Sequence, residues 1–208
     1  MFITFEGIDF CGKSTQVELL QNYLINKGKK VLLIREPGGT EISEKIRTIL
    51  LDKKNCKMSI ESEILLFSAA RAQLVREKIR PFLDEGYYII SDRFHDSTTA
   101  YQGYGRGIPI ESVIHINKIA IDNTIPDITF FIDIPVSVSV NRKNLKHQNE
   151  LDRIEISKDH FYDKVRSGYL QIALQEKRFR VIDGTLNIAE IHNIITNELI
   201  LFEKKELV

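Results

Sequence analysis

The sequence predicts an α/β protein: five short parallel strands in one doubly wound sheet, with helices on both faces. Three observations carry that prediction. Apolar runs of strand length recur five times, each separated from the next by a helical pattern, and strands alternating with helices build a parallel sheet. Gly7-Ile8-Asp9-Phe10-Cys11-Gly12-Lys13-Ser14 fits G-x-x-x-x-G-K-[ST] and stands between a strand and a helix, the setting a P-loop requires. Polar, glycine-rich loops follow several of the strands, where open α/β sheets bind ligands. Together these specify a three-layer P-loop NTPase fold, with a single domain spanning 1–208.

The elements follow in order. Met1 to Phe5 reads as a buried strand. The glycines after it let the backbone turn its N–H groups toward phosphate oxygens, and the next helix adds its positive N-terminal end. Lys13 is expected to reach the β- and γ-phosphates, and the Ser14 hydroxyl to bind Mg²⁺. Gln16 to Asn26 carries a helical stripe closed by Gly28. Lys30 to Ile34 is the second strand, ending in the loop Arg35 to Thr40. Glu41 to Leu51 is helical, with Arg47 on its more polar side.

Ser59 to Asp84 reads as one long helical region that Pro81 kinks or breaks. Phe67 and Arg71 are four apart on it and share a face. They fit a core phenylalanine beside an exposed arginine, which is the commoner arrangement, or a platform for a planar base. Tyr87 to Ile90 is the third strand. Asp92, just beyond it, is placed as the second Mg²⁺ partner, and Arg93 can clamp a phosphate bidentately. The hydroxyl- and glycine-rich stretch His95 to Gly107 reads as a binding loop or short helix, and His95 has no metal-ligand spacing. A helix from Pro109 to Asp122, a strand from Ile128 to Asp133 and a helix from Pro135 follow. Asn141 to Glu155 contains Arg142, Lys143, Lys146 and Arg153. It is either a solvated charged face or a mobile lid closing on phosphates. Asp159 to Gln175 is an amphipathic helix, Phe179 to Asp183 the fifth strand, and Ile188 to Phe202 the last helix.

Composition narrows the functional classes. Basic and acidic residues balance at 29 each, so no global field points to nucleic acid. The apolar runs are too short for a transmembrane helix, and Glu6 and Asp9 interrupt any signal-peptide core. Cys11 and Cys56 have no metal or redox spacing, which suits a reducing cytoplasm. Asn117-Lys118-Ile119-Ala120 lacks the aspartate of the N-K-x-D motif, against a GTPase. A P-loop module driving mechanical work would need a water-positioning residue, and none is evident. A nucleotide-binding regulatory module without turnover stays open on motifs alone.

The chain resembles the bacterial thymidylate kinases from residue 2 to about residue 200. The resemblance rests on FITFEGIDFCGKSTQ, REPGGT, LLFSAARAQ, SDRF with STTAYQGYGRG, and LDRIE, in that order. It implies a homodimeric enzyme that moves the γ-phosphate of ATP to dTMP, giving dTDP for dTTP and DNA precursors, with Mg²⁺. The alternative is another nucleoside monophosphate kinase on the same scaffold. The resemblance implies that Gly7, Ile8, Asp9, Phe10, Cys11, Gly12, Lys13, Ser14 and Thr15 hold ATP. It places Phe67 on the thymine ring, Arg71, Thr98 and Gln102 at the base, and Tyr101 on the deoxyribose. Arg47 and Arg93 become the monophosphate clamp, with Glu36 and Pro37 lining the acceptor site. Asp9 lies near the sugar and phosphates, and Arg153, with Arg142, looks like a lid arginine. Lys13, Arg93, Arg153 and Asp9 form the implied catalytic set.

The chemistry needs no base, because a monophosphate already carries nearly two negative charges. It needs in-line positioning and charge neutralisation. Phe10-Cys11 replaces the small residues most relatives have, and the P-loop has no arginine of its own. The lid arginines therefore carry more of the burden, and ATP is expected to shield Cys11 from alkylation.

Overall fold

The computed structural model describes residues 1–145 and 151–206. Lys146, one of the four cations of the expected lid, lies outside the described residues. The five strands are β1 (Phe2–Glu6), β2 (Val31–Arg35), β3 (Tyr88–Asp92), β4 (Ile128–Asp133) and β5 (Phe179–Asp183). All pair in parallel, in the order β2-β3-β1-β4-β5. Every residue of β1 is buried, as expected for the centre of a sheet covered on both faces. Even its polar Thr4 is matched, by a 2.8 Å hydroxyl–hydroxyl bond to Thr129 on β4.

The helices are α1 (Lys13–Asn26), α2 (Glu41–Leu51), α3 (Ile60–Leu74), α4 (Arg80–Asp84), α5 (His95–Thr98), α6 (Ile110–Ile121), α7 (Val136–Lys143), α8 (Asp159–Gln175) and α9 (Ile188–Glu206). Thr40 and Ser59 cap α2 and α3 by accepting from Ser43 N and Ser62 N. Pro81 does not break the long helix. A π-helical segment, Val75–Ile79, joins α3 to α4, and the right-handed backbone continues through Arg80. The widened turn lies just before a residue that has no N–H to give.

Of binding loop and short helix, the stretch after β3 is helix, and a largely buried one: α5 runs into a π-helical segment, Thr99–Gly105. His95 is buried inside it. Burial pushes its imidazole down to about 4, against the pull of Asp96 3.2 Å away. It is a neutral structural residue. Asp96 itself forms a paired ion contact with Arg178, both bonds 2.7 Å, and this ties α5 to the start of β5.

The main core gathers β1 and β4 with α1, α8 and α9, through Phe5, Phe130, Phe131, Leu20, Tyr169 and Ile195. The register aligns Phe5 with Asp92 and Arg35 with Asp92 across β1, β3 and β2. The loops after β1, β2 and β3 therefore open side by side.

Candidate active site

Those loops, with α2, α3, the helix after β3, and Arg142, Asp152 and Ile154, enclose a cleft of about 580 Å³. Its donor end is the P-loop. Gly7 has φ +145°, and a Cβ there would stand 2.6 Å from the Ile132 carbonyl oxygen and 2.7 Å from Cys11 Sγ. Only glycine lets the loop leave β1 against β4 in this way. Phe10 occupies the left-handed region at φ +63°, and Gly12 follows at φ +100°. Asp9, Phe10, Gly12, Lys13, Ser14 and Thr15 face the cleft, whereas Ile8 and Cys11 are 1% exposed and pack beneath it. Burial, before any bound nucleotide, is what shields Cys11. Lys13 Nζ folds onto the carbonyls of Gly7 (3.2 Å) and Ile8 (3.0 Å). Ser14 Oγ donates to Asp92 Oδ2 at 2.8 Å. A hydroxyl beside a carboxylate is a hard oxygen pair of the kind Mg²⁺ takes along with phosphate oxygens and water.

Arg93 stands between the two ends. It has φ +71°. Its Nη1 donates to Gly7 O at 2.8 Å and Nη2 to Asp9 Oδ1 at 2.5 Å and Tyr101 Oη at 3.1 Å. Asp9 Oδ2 accepts from Tyr101 Oη (3.1 Å) and Tyr162 Oη (2.9 Å). Burial alone would raise the Asp9 carboxyl, but Arg93, Lys13 and the two phenols outweigh it and hold it below its ordinary range. The turn at Arg93 rests on Glu6, which is fully buried. Glu6 accepts from Phe94 N (2.8 Å), Ser97 Oγ (2.6 Å) and Tyr169 Oη (2.8 Å). Burial, reinforced by Asp96, pushes its carboxyl up to about 7.

The acceptor end is built by α3 and the helix after β3. Phe67, Arg71, Ser97, Thr98, Tyr101 and Gln102 line it, with Arg35, Glu36, Pro37 and Arg47 opposite. The Arg71 guanidinium is 1% exposed and fully engaged. It donates to Glu36 (2.7 Å), Thr98 Oγ1 (2.9 Å) and Phe94 O (3.1 Å). Burial lifts Glu36 above the usual carboxylate range even against the attraction of Arg71, and its Oε1 is a buried acceptor with no partner among the described residues. Arg47 Nη1 donates to Pro37 O at 2.8 Å.

The two arginines expected over the phosphates part company. Arg142 lines the cleft and donates to Phe10 O and Gly184 O, both at 3.1 Å, so it sits across the P-loop. Arg153 is not brought to the cleft. It is 9% exposed, with Nη1 2.6 Å from Glu63 Oε2 and Nε 2.7 Å from Leu50 O. The carboxylate and the helix-end carbonyl hold two of its nitrogens, while Nη2 is buried with no partner among the described residues. Asp152 and Ile154, its neighbours, do line the cleft.

Sequence reasoning missed Glu6, Glu63 and the α8 tyrosines. Tyr162 and Tyr169 are seven apart on the buried face of α8. That spacing reads as core, and only the fold reveals that their hydroxyls end on Asp9 and Glu6.

Comparison with known proteins gives the family. The thymidylate kinase family model matches residues 5–195. The chain is 52% identical to the thymidylate kinase of Thermosipho africanus over 203 residues, covering 96% of this chain and 99% of that protein. It is 49% identical to that of Sulfurihydrogenibium sp., covering 95% and 96%. The crystal structure of thymidylate kinase from Ehrlichia chaffeensis superposes with a TM-score of 0.77 at 38% identity, over 96% of this chain and 97% of that one. The chain belongs to the thymidylate kinase family.

Proposed function

We propose that the cleft takes ATP at its P-loop end and dTMP at its Phe67–Gln102 end, with Arg93 between the two phosphate groups. The reaction of the family, transfer of the ATP γ-phosphoryl group to dTMP giving dTDP, is the activity of this chain. The observation that carries the placement is Arg93. It is the cation bonded at once to the P-loop carbonyl of Gly7, to Asp9 and to the acceptor-side Tyr101, so charge is centred where the transferred group passes.

The residues act by positioning and charge. Lys13 leaves the Gly7 and Ile8 carbonyls for phosphate oxygens. Arg93 and Arg47 hold the acceptor phosphate, and Phe67 stacks on the base while Thr98 and Gln102 meet its edge. Arg71 supports that wall through Glu36 and Thr98. Asp9 keeps Arg93 aimed and leaves the proton chemistry alone. Ser14 and Asp92 would hold Mg²⁺, which supplies charge neutralisation when bound. Of the two arginines, Arg142 supplies the cation over the P-loop, and Arg153 anchors the segment that follows it.

The homodimer reading is supported by exposed isoleucines and leucines on three helices packed side by side. Ile42 and Ile49 on α2, Leu65 on α3, and Ile114 and Ile119 on α6 are each about half exposed or more, apolar area that a partner's matching helices could cover. No described helix is long and apolar enough to cross a membrane; a cytoplasmic site of action is proposed from the substrates.

An ATP-coupled assay across the nucleoside monophosphates tests the assignment. dTMP is expected to be the best acceptor, and a strong preference for a different base overturns it.

A further inference from the structure

Glu63 lies on α3 one turn before Phe67, and its side chain is 2% exposed. Its Oε1 accepts from Gln102 Nε2 at 2.8 Å and Arg106 Nε at 3.2 Å. Its Oε2 accepts from Arg153 Nη1 at 2.6 Å and Arg106 Nη2 at 3.4 Å. Burial would raise this carboxyl, but the Gln102 bond and the two guanidinium groups prevail and hold it below its ordinary range. Glu63 is therefore an anion at neutral pH.

An ionised carboxylate accepts hydrogen bonds and donates none. The Gln102 side chain must then turn its NH₂ toward Glu63. Its other end, Oε1, accepts from no described residue, and Gln102 lines the cleft. The amide is held in one of its two orientations by a charge that lies outside the cleft. The same carboxylate fastens Arg153, whose backbone N–H donates to Leu51 O at 3.1 Å.

We propose that Glu63 is a positioning residue for base selection, which fixes the Gln102 amide with its acceptor oxygen toward the substrate base. The proposal rests on the placement of the base beside Gln102 argued above. A fixed acceptor suits a pyrimidine whose N3 carries a proton, as in thymine and uracil. It opposes cytosine, whose N3 is itself an acceptor, and two facing acceptors leave both unpaired. The contact does not read the 5-methyl group, so it sorts thymine from cytosine and not from uracil.

The test compares kcat and KM for dTMP and dCMP in the wild type, Glu63→Gln and Gln102→Ala enzymes, with ATP as donor. Glu63→Gln keeps the size of the side chain but can donate as well as accept, so the Gln102 amide can turn. The expected result is a fall of at least tenfold in the ratio of kcat/KM for dTMP over dCMP. The change should lie mainly in KM. A residue that only braces the fold lowers both kcat/KM values together, and an unchanged ratio in Glu63→Gln overturns the proposal. If Gln102→Ala loses the preference while Glu63→Gln keeps it, Glu63 alone is refuted. If both keep it, the placement of the base is refuted. Should Glu63→Gln fail to fold, proton exchange of the Gln102 side-chain amide in the wild-type enzyme decides. It is assigned by ¹⁵N NMR against Gln102→Ala. Slow exchange is expected, and exchange as fast as that of surface glutamines refutes the fixed orientation.

Discussion

Glu6→Gln is expected to change how stability depends on pH, by an amount the geometry sets. The Glu6 carboxyl is 0% exposed at the end of β1 and is raised from 4.5 to about 7, first by burial and then by Asp96. Below pH 4.5 the group is protonated whether the chain is folded or unfolded, and it costs nothing. Between pH 4.5 and 7 the unfolded chain releases the proton and the folded chain keeps it, so stability falls as pH rises. Above 7 the loss is complete, on the order of 3 kcal/mol at about 1.4 kcal/mol per pH unit. Glutamine has the shape of the protonated acid. It can accept from Phe94 N and donate to Ser97 Oγ or Tyr169 Oη, and it cannot titrate. His95 confounds the wild-type curve. Its folded value is lowered from 6.5 to about 4, so its contribution is present above 6.5 and lost as pH falls toward 4, opposite in sign to that of Glu6. The wild type should therefore look nearly flat across this window, and the difference between variant and wild type carries the information. Urea unfolding followed by circular dichroism, at intervals from pH 4.5 to 8, measures it. Stability of Glu6→Gln relative to wild type should climb by on the order of 3 kcal/mol over that range. A difference constant within about 1 kcal/mol would refute the buried, proton-holding Glu6.

Asp9→Asn removes the charge that aims Arg93 but keeps a polar side chain for Tyr101 and Tyr162. Loss of a charge-assisted bond of about 1.5–3 kcal/mol should lower the melting temperature and, by freeing Arg93, lower kcat/KM for dTMP roughly tenfold to a hundredfold. Arg153→Ala leaves Glu63 short of a partner in a buried site. Denaturation should show a loss of about 3 kcal/mol or more, with turnover reduced less than stability implies for a catalytic arginine. A fall of about a thousandfold in kcat at unchanged stability would return Arg153 to the phosphates. Arg142→Ala should do the reverse: among the described residues its guanidinium bonds to the Phe10 and Gly184 carbonyls alone, so the fold should survive while kcat drops more than KM for ATP rises. Cys56 is exposed and Cys11 buried, so mass spectrometry of the native enzyme after brief alkylation should find the label on Cys56, and Cys56→Ser should abolish the fast phase.

What could be read in the sequence was what short-range chemistry dictates. A strand covered on both faces must be a continuous apolar run, and Ile128 to Asp133 announces itself. A phosphate loop favours glycines where φ is positive, and Gly7 and Gly12 stand at two such positions, although Phe10 takes a third. The hidden part is long-range pairing of charges. Arg153 and Glu63 are 90 residues apart, and nothing near Arg153 distinguishes an anchor from a phosphate ligand. Both need a guanidinium in a polar stretch. Glu6 is similar. A carboxylate at the end of an apolar run looks like the start of a loop, and only the tertiary fold supplies the Phe94 amide and Ser97 from the chain after β3, and Tyr169 from α8, that let it stay buried. The helix after β3 was obscured by composition, since Gly103 and Gly105 suggest a loop. Tertiary packing overrides that propensity: a Cβ at Gly103 would stand 2.7 Å from Ile110 Cδ1, and one at Gly105 2.6 Å from Phe161 Cε2.

The two ends of the cleft are held by different means, and this decides what each tolerates. The P-loop end is backbone, set by the register of β1 with β3. Phe5 opposite Asp92 is what brings Ser14 within 2.8 Å of the Asp92 carboxylate. A one-residue slip would turn every side chain of the strand to the other face, so this end either forms whole or not at all. The acceptor end is side chains held by buried ion pairs: Arg71 with Glu36, Asp96 with Arg178, and Glu63 with Arg153 and Arg106. Each pair has its own desolvation cost and its own partner to lose, so a change there can shift one group and leave the sheet in place. Altered acceptor choice should therefore arise from substitutions among these pairs, and loss of ATP use from substitutions that disturb the strand register or the glycines of the loop.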